Sequence, residues 1–365
     1  MAVHGPPPRP RLNPARPVPD LPQPDTPQPD APQPDAPQPD APQNVTDARR
    51  VLFHQVVRAL DQEPRRLPAK LFYDARGAAL FEEITRLDEY YPTRTELGIL
   101  ESCLPEVARR VGPDARVVEF GTGSGEKTAL LLGALDRPHQ LVLIDISAEQ
   151  LHQVAEGFRR RHPGLPVVPL AADYTLPYRL PPRATANGTA AGATLFFFPG
   201  STLGNFEPHE ARGFLANVAH AGGRGAALLL GVDRQKPREV VEPAYNDAAG
   251  VTAEFNRNAL HHLNRELGGN FDPEAFEHRA PWNPVAERIE MHLVSTRRQD
   301  VLIDPRLPGE RAFGFSMEPG EAIVTEHSYK YSPTRLEGLI RSAGWQIEDR
   351  WTDHRKWFDV LYLVR

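Results

Sequence analysis

Three glycines at alternate positions, Gly121, Gly123 and Gly125, follow an apolar run and the acidic Glu119. A helix-forming segment comes next, so the backbone must turn tightly and leave space against it, which is the outline of a ligand-binding turn. The dinucleotide fingerprint G-x-G-x-x-G needs its third glycine where this chain has Glu126, so NAD fits poorly. Glu119 favours another nucleoside cofactor, and a tight turn without a ligand is the alternative.

Acidic side chains follow the next two apolar runs, where the strands of a sheet would end. Asp145 comes after the second run and can accept hydrogen bonds from both hydroxyls of a ribose. Asp173 and Tyr174 come after the third run, where a carboxylate can accept from an adenine amino group beside the phenol ring. Helix capping explains either aspartate alone, but their placement after consecutive strands favours a nucleoside site.

Aromatic rings and charges are concentrated in residues 71–77 and 89–96, on either side of a helix predicted over residues 78–87. Packing of a buried ring with a wet hydroxyl explains any single tyrosine, whereas the clustering favours a lid or a pocket wall. The fourth apolar run leads into residues 198–206, Phe-Pro-Gly-Ser-Thr-Leu-Gly-Asn-Phe. Because ligands of open α/β sheets bind at the carboxyl ends of the strands, this stretch is also expected beside the site.

Strand and helix patterns alternate from residue 116 to residue 233, which predicts a parallel sheet with right-handed crossovers and helices on both faces. The predicted strands cover residues 116–120, 140–144, 166–171, 194–198 and 226–231, and the predicted helices cover residues 126–135, 148–161 and 208–221. Near the C-terminus, a helix over residues 333–343 and a hairpin of strands over 345–351 and 358–364 return to this order. The predicted fold class is α/β, a Rossmann-like sheet with an inserted substrate-binding lobe.

The chain divides into five predicted segments. The first is a low-complexity tail in which Pro-Gln-Pro-Asp recurs every five residues, a composition that favours extended polyproline II and cannot bury a core. Folded sequence is expected to begin with a helix near Asn44 or Thr46, and the inserted lobe contains a helix over residues 260–267. The segments are the disordered tail (1–43), the N-terminal part of the substrate lobe (44–95), the sheet domain (96–235), the substrate lobe (236–330) and the helix and hairpin that complete the sheet (331–365).

The composition is globular, with 365 residues of which 40% are hydrophobic and 25% charged. A net charge of −6 and the lack of a long basic cluster disfavour nucleic acid as a partner. Cys103 is the only cysteine, which excludes an internal disulfide, and no metal is expected because the histidines lack a zinc-binding spacing. The first residues lack the apolar core of a signal peptide and no run is long enough to span a membrane, so a cytoplasmic monomer is expected.

The glycine turn resembles motif I of the class I S-adenosylmethionine (SAM) methyltransferases. From about residue 67 to the C-terminus, longer motifs resemble those of the histidine Nα-methyltransferases of ergothioneine biosynthesis. The resemblance implies a class I Rossmann-like fold, SAM as cofactor, and trimethylation of the α-amino group of L-histidine to hercynine through mono- and dimethylated intermediates. The motifs cover residues 72–74, 89–96, 200–205, 244–253, 288–293 and 325–330.

The same resemblance implies a role for each matching residue, with Tyr73, Tyr90 and Asn205 expected to be catalytic. The residues expected to hold SAM are Tyr73, Gly121, Lys127, Asp145, Asp173 and Tyr174. The residues expected to bind histidine are Tyr90, Asn205 and Tyr245 at its carboxylate, Gly200 and Thr202 near its amine, Met291 in the pocket wall, and Glu326 and Ser328 at its imidazole. The chain departs from the family's motifs at Ala69, Leu71 and Pro237, which are expected to change loops and to leave histidine specificity intact.

Methyl transfer from a sulfonium needs a neutral amine aligned with the bond between sulfur and methyl, so positioning is expected to supply most of the catalysis. Glu326 can accept from one imidazole N–H while Ser328 meets the other nitrogen, which rejects side chains that lack both polar atoms. Two alternatives stay open. One is a SAM N-methyltransferase of the same fold that acts on another amino acid, and the other is a non-catalytic protein that binds SAM or NAD.

Overall fold

The computed structural model describes residues 45–146, 148–183 and 192–365, so the proline-rich tail predicted over residues 1–43 lies outside the described residues. The strands are β1 (Arg116–Phe120), β2 (Gln140–Asp145), β3 (Val167–Ala171), β4 (Thr194–Phe198), β5 (Ala227–Asp233), β6 (Phe276–Arg279), β7 (Trp282–Asn283), β8 (Arg288–Ser295), β9 (Gln299–Ile303), β10 (Phe313–Met317), β11 (Ala322–Tyr329), β12 (Gln346–Thr352) and β13 (Phe358–Val364). The α-helices are α1 (Val45–Leu60), α2 (Ala75–Ile84), α3 (Tyr91–Val111), α4 (Glu126–Ala134), α5 (Ala148–Arg161), α6 (Pro208–Gly222), α7 (Arg238–Val241), α8 (Val251–Leu267) and α9 (Pro333–Ser342).

The central sheet has seven strands in the order β12-β13-β5-β4-β1-β2-β3. Strands β1 to β5 run parallel, whereas β13 pairs antiparallel with both β5 and β12. Every residue of β1, β4 and β5 is buried, as parallel strands covered by helices on both faces require. The predicted fold class, a Rossmann-like α/β sheet completed by an antiparallel hairpin at its edge, is confirmed.

A second hydrophobic core lies beside the sheet in what we call the accessory lobe, made of α1, α2, α8 and strands β6 to β11. The buried side chains of this core are far apart in sequence and extend from Phe53 in α1 to Ile323 in β11. Strand β11 is hydrogen-bonded to β8, and Tyr331, two residues beyond its end, donates its backbone N–H to the carbonyl of Asp233 at 3.0 Å. Strand β11 therefore delivers its last residues to the carboxyl edge of the central sheet.

Three long helices differ from the sequence-based prediction by more than one residue. Helix α2 begins at Ala75 and not at residue 78, because the Asp74 carboxylate caps it by accepting from the Gly77 N–H at 2.7 Å. Helix α8 begins at Val251 and not at residue 260, because Asp247 accepts from the first two backbone N–H groups at 2.9 and 2.8 Å. Helix α3, which the patterns did not predict, starts inside the aromatic and charged stretch of residues 89–96.

The described part of the chain contains no helix that is long and apolar enough to cross a membrane. Asp40–Arg365 form one compact unit. The finer division of this unit into the segments 44–95, 96–235, 236–330 and 331–365 stays a prediction.

Candidate active site

A cavity between the carboxyl edge of the sheet and the accessory lobe contains about 540 Å³ of space, part of it open to solvent. Every residue predicted to be catalytic or to bind the substrate lines it, although these residues come from distant parts of the chain. They are Tyr73, Tyr90, Gly200, Thr202, Asn205, Tyr245, Met291, Glu326 and Ser328. The structure thus places them together, and the role of each one stays a prediction.

The alternation of strand β11 explains why Glu326 and Ser328 share this wall. Successive side chains of a strand point to opposite faces, so these two and Lys330 lie on one face of the segment. Met291 is the cross-strand partner of Glu326 in β8 and lines the same cavity. The neighbouring His327 points the other way, where Glu207 accepts a hydrogen bond from its ring at 2.7 Å.

Three tyrosines form an aromatic wall. The rings of Tyr90 and Tyr245 lie edge to face with centroids 6.2 Å apart, and Tyr73 makes a similar contact with Phe255 at 6.0 Å. Burial, with nearby acids adding to it, raises the pKa of all three phenols well above the usual value. The hydroxyls therefore stay protonated at neutral pH and serve as hydrogen-bonding groups, not as phenolate bases.

Tyr73 stands between the cavity and the glycine turn. After burial, the groups that raise its pKa include Glu326 and Tyr90 of the cavity as well as Tyr174 and Asp145 of the sheet edge. A side chain whose pKa responds to both sets of groups lies between them, because Coulomb interactions fall off with distance. Tyr73 is therefore placed to contact molecules bound on either side.

The glycine turn has the tight backbone that its sequence predicted. Gly121, Gly123 and Gly125 have φ angles of +69°, +47° and +76°, a region that side chains with a Cβ rarely adopt. A Cβ on Gly121 would meet the Tyr174 hydroxyl at 3.6 Å, whereas the space beside Gly123 is open to 4 Å. The turn thus leaves room for a ligand against its backbone, with Tyr174 beside it.

Of the predicted cofactor residues, Tyr73 lines the cavity, whereas Gly121, Lys127, Asp145, Asp173 and Tyr174 lie in or beside the glycine turn and not in the cavity lining. Asp145 holds the turn, because its Oδ2 accepts from the Thr122 N–H at 3.0 Å. Asp173 accepts from the backbone N–H and the hydroxyl of Thr175 at 3.0 and 2.5 Å, which is a contact within a turn and not the helix cap that the sequence left as an alternative. Binding of a nucleoside by these carboxylates stays a prediction.

Glu119 is a buried acid beneath the turn whose Oε2 has no hydrogen-bond partner among the residues that the structure describes. Burial raises the pKa of Glu119 to about 8, against the opposing charge of Lys127. An open backbone turn with an unpartnered acid oxygen and Asp145 nearby suits a ligand that is rich in hydrogen-bond donors. SAM, with its sulfonium, ammonium and ribose hydroxyls, fits these residues.

Glu96 joins the cofactor side to the substrate side, a role that the sequence did not reveal. The Lys127 Nζ lies 2.5 Å from its Oε2, and both carboxylate oxygens accept from the Gly200 N–H, at 2.8 and 3.0 Å. Only 1% of Glu96 is exposed, so these charge-assisted bonds lie in a dry environment. Lys127, predicted to hold SAM, therefore holds Glu96, and Glu96 fixes the left-handed turn at Gly200, whose φ is +79°.

Replacing Gly231 with alanine is expected to displace Glu96. The added Cβ would lie 1.8 Å from Glu96 Oε1, and we expect the free energy of unfolding to fall by about 1–3 kcal/mol, as in other overpacked cores. The control is Gly98→Ala in the same α3 helix as Glu96, where a Cβ meets nothing within 4 Å and alanine should stabilise by up to about 1 kcal/mol. Urea denaturation measures both, and equal stability of the two variants would contradict the placement of Glu96.

A second buried network lies behind the cavity wall around Asp233. Lys236 and Lys330 place their Nζ atoms 2.5 and 2.9 Å from its carboxylate, and the Tyr91 hydroxyl donates to it at 2.6 Å. Burial opposes ionisation of Asp233, but the two ammonium charges hold its pKa below the usual value. Lys330 also contacts Tyr245 and Ser328 of the cavity. The sequence motif at residues 325–330 contained Lys330 without indicating this contact.

Fold and site together define a SAM-dependent methyltransferase: a Rossmann-like sheet carries an open glycine turn with acids at its strand ends, beside a cavity that can hold an amine. The model of one protein family, described as "Histidine-specific methyltransferase, SAM-dependent", matches residues 52–365. The chain belongs to this family, which confirms the predicted membership and SAM as the cofactor.

Curated relatives agree with this assignment. The chain is 39% identical over 305 residues to the histidine N-alpha-methyltransferase of Mycobacterium tuberculosis, covering 83% of this chain and 91% of the relative. It is 38% identical over 321 residues to the protein of that name from Mycolicibacterium smegmatis, covering 87% and 96%. More distant similarity, 26% over 326 residues, covers 82% of this chain and 90% of the 4-dimethylallyltryptophan N-methyltransferase of Claviceps purpurea.

Proposed function

We propose that this enzyme transfers three methyl groups from SAM to the α-amino group of L-histidine and so produces hercynine. The observation that carries the proposal is one cavity that Glu326 lines together with Gly200, Thr202 and Asn205 at the edge of the sheet. A histidine side chain placed against Glu326 directs its backbone amine toward that edge, where the cofactor turn lies. The relatives named as histidine N-alpha-methyltransferases support the same substrate.

Glu326 is the group that recognises the imidazole. Burial raises the pKa of its carboxyl to about 7, and the positive charge of Lys330 opposes the shift. A substantial fraction of the Glu326 carboxyl group is therefore ionised at neutral pH, and in this form it accepts a hydrogen bond from an imidazole N–H. Ser328, on the same face of the strand, meets the second ring nitrogen, and Met291 covers the ring. A side chain without both polar atoms leaves one of these groups unpaired, which costs affinity.

The backbone of histidine is held by groups that begin beside the imidazole site, since the Tyr245 hydroxyl lies 2.9 Å from Ser328 Oγ. Asn205 and the hydroxyls of Tyr90 and Tyr245 supply donors for its carboxylate. The Thr202 hydroxyl donates its proton to the Pro199 carbonyl at 3.0 Å, so it offers lone pairs to the substrate's amine. Acceptors that surround the amine orient its own lone pair toward the cofactor side.

The residues of this chain catalyse the reaction by positioning. When bound, SAM supplies an electrophilic methyl carbon on its sulfonium. The neutral histidine amine forms its bond to that carbon as the carbon–sulfur bond breaks and S-adenosylhomocysteine leaves, and the cavity holds the amine in line through Thr202 and the tyrosine hydroxyls. The mono- and dimethylated ammonium products each lose a proton to solvent, to which the cavity is partly open, before the next transfer. Tyr73 stays protonated because of its raised pKa, so it orients the amine and does not act as a base. Hydroxyl groups can donate or accept, so the same wall accommodates the mono- and dimethylated intermediates.

Replacing Tyr90 with phenylalanine is expected to weaken histidine binding about tenfold or more, because a hydrogen bond to a charged carboxylate contributes about 1.5–3 kcal/mol. Isothermal titration of L-histidine in the presence of S-adenosylhomocysteine measures the change. Tyr362→Phe, in strand β13 and outside the cavity, is the matched control and should bind as the wild type does. Unchanged affinity in the Tyr90 variant would remove Tyr90 from the site.

The proposed function is tested by incubating the purified enzyme with SAM and L-histidine and following the product by mass spectrometry. Three successive methyl additions are expected. Histamine, which lacks the carboxylate, and tryptophan, which lacks the second ring nitrogen, are expected to react far more slowly. A product that stops at one methyl group would contradict trimethylation, and equal activity on histamine would contradict recognition of the carboxylate.

A further inference from the structure

Glu207 binds the rear face of strand β11, the face that points away from the cavity. Its Oε1 accepts from His327 Nδ1 at 2.7 Å, and its Oε2 accepts from the Tyr329 hydroxyl at 2.6 Å. Side chains alternate along a strand, so these two partners point away from Glu326 and Ser328, which line the cavity. Glu207 itself is not part of the cavity lining.

Two arginines complete the surroundings of the Glu207 carboxylate. Arg66 Nη2 lies 2.9 Å from Oε1, and Arg288 Nη1 lies 3.4 and 3.5 Å from the two oxygens. Burial opposes ionisation of this acid, but the hydrogen bonds from Tyr329, Arg66 and His327 lower its pKa to about 2. Glu207 is therefore a carboxylate at neutral pH, and charge-assisted bonds connect it to β8, β11 and the segment before Tyr73.

Glu207 also follows the chain segment that supplies another part of the cavity. It lies two positions after Asn205, which ends the cavity-lining segment of residues 200–205. The 3₁₀ turn in this segment, Thr202–Asn205, packs closely on β11, since a Cβ on Gly204 would lie 2.7 Å from the Tyr329 carbonyl oxygen. Glu207 therefore bonds residues 200–205 of the sheet domain to strand β11 of the accessory lobe.

We propose that Glu207 is a positioning residue that holds residues 200–205 at the distance from β11 that suits histidine, and so selects substrates by their length. The inference rests on the proposed function, in which Glu326 and Ser328 bind the imidazole while Thr202 and Asn205 bind the backbone of the same molecule. One histidine side chain must span the two groups, and a misplacement of about 1 Å can cost about 100-fold in rate. Because Glu207 bonds β11 from behind, it fixes this distance without touching the substrate.

Selection by length is measured with L-histidine and L-homohistidine, whose side chain is one methylene longer. For the wild-type enzyme we expect kcat/KM to be at least about 10-fold higher for histidine, since one methylene changes it by about 10- to 200-fold. Glu207→Ala should lower kcat/KM for histidine about 10- to 100-fold and for homohistidine much less, so the preference for histidine should shrink about tenfold. Binding of S-adenosylhomocysteine should stay close to that of the wild type, which shows that the sheet domain is intact.

Glu210→Ala is the matched control. Glu210 accepts from the Glu207 N–H at 2.8 Å at the start of helix α6, and among the described residues it makes no hydrogen bond or ion pair with β11. This variant should keep the wild-type preference. Tyr329→Phe removes one bond of Glu207 and leaves its charge, so it should reduce the preference in part. Combined with Glu207→Ala it should add little, because both changes act through one contact.

An equal preference for histidine in Glu207→Ala and Glu210→Ala would overturn the inference, as would wild-type enzyme that methylates both amino acids equally well. If Glu207→Ala does not fold, Tyr329→Phe decides, and the full wild-type preference in that variant contradicts the inference. Wild-type enzyme that does not methylate histidine contradicts the proposed function. Wild-type preference in an active Glu207→Ala variant contradicts only the role of Glu207.

Discussion

Replacing Glu96 with alanine is expected to lower the free energy of unfolding by about 3 kcal/mol and to abolish methyl transfer. The change leaves Lys127 without its counter-ion and the Gly200 N–H without an acceptor, and loss of one partner of a buried ion pair costs about 3–5 kcal/mol. We expect a loss at the lower end of this energy range because 17% of the Lys127 side chain is exposed to solvent. Activity is lost because the Gly200 turn forms the cavity wall between cofactor and substrate.

Urea denaturation and a methyl-transfer assay measure the two effects of Glu96→Ala. Glu101→Ala is the control, since Glu101 is an exposed residue of the same helix and its removal should change stability by no more than about 0.5 kcal/mol. Glu96→Gln separates the two contacts, because an amide still accepts from the Gly200 N–H but carries no charge for Lys127. If Glu96→Ala is as stable and as active as Glu101→Ala, the proposed link between the two sides does not exist.

Glu326→Gln is expected to weaken L-histidine binding about 10- to 100-fold at pH 8, because a hydrogen bond to a charged acceptor contributes about 1.5–3 kcal/mol. The effect depends on pH. Since burial raises the pKa of Glu326 to about 7, the carboxylate that accepts from the imidazole is fully present above that pH and is lost as pH falls through it. Wild-type affinity should therefore decrease below pH 7 by up to about tenfold per unit.

The pH dependence distinguishes Glu326 from other groups that titrate nearby. In Glu326→Gln, the part of the affinity profile with a midpoint near pH 7 should disappear, while the part caused by protonation of free histidine near 6.5 remains. Glu318→Gln, an exposed residue at a turn before β11, should reproduce the wild-type profile. Titration calorimetry with S-adenosylhomocysteine present gives both curves. A Glu326→Gln profile that overlays the wild-type one would remove this carboxylate from imidazole recognition.

Much of the sheet could be predicted from the sequence because its signals are local. The bounds of β1, β4 and β13 agree with the prediction to the residue, since each is a short apolar run flanked by polar residues, proline or glycine. Helix α3 was missed for an equally local reason. It contains Pro105, a residue that argues against a helix interior, and it begins inside a stretch whose aromatic residues suggested a pocket wall.

The composition of the site was predictable, and its internal contacts were not. Motifs placed Tyr73, Tyr90 and Glu326 in one site, and the cavity contains them all. The bonds that hold the site join Glu96 to Lys127, 31 positions away, and to Gly200, 104 positions away. A buried ion pair leaves no periodic pattern in either partner's sequence, so only the fold reveals it. Lys330 is a second residue whose contacts only the fold reveals: it lies behind the cavity wall and donates to the hydroxyls of Tyr245 and Ser328.

The central claim is that the cavity holds histidine with its imidazole at Glu326 and its α-amine toward SAM. The most direct test is the position of the transferred methyl group. Reaction of L-histidine with SAM that carries a ¹³C-labelled methyl group gives a product whose methyl signal can be assigned by heteronuclear NMR. We predict a correlation from the labelled methyl to the α-carbon and none to the imidazole carbons. A methyl group found on a ring nitrogen would show that histidine binds in the opposite orientation and would contradict the account.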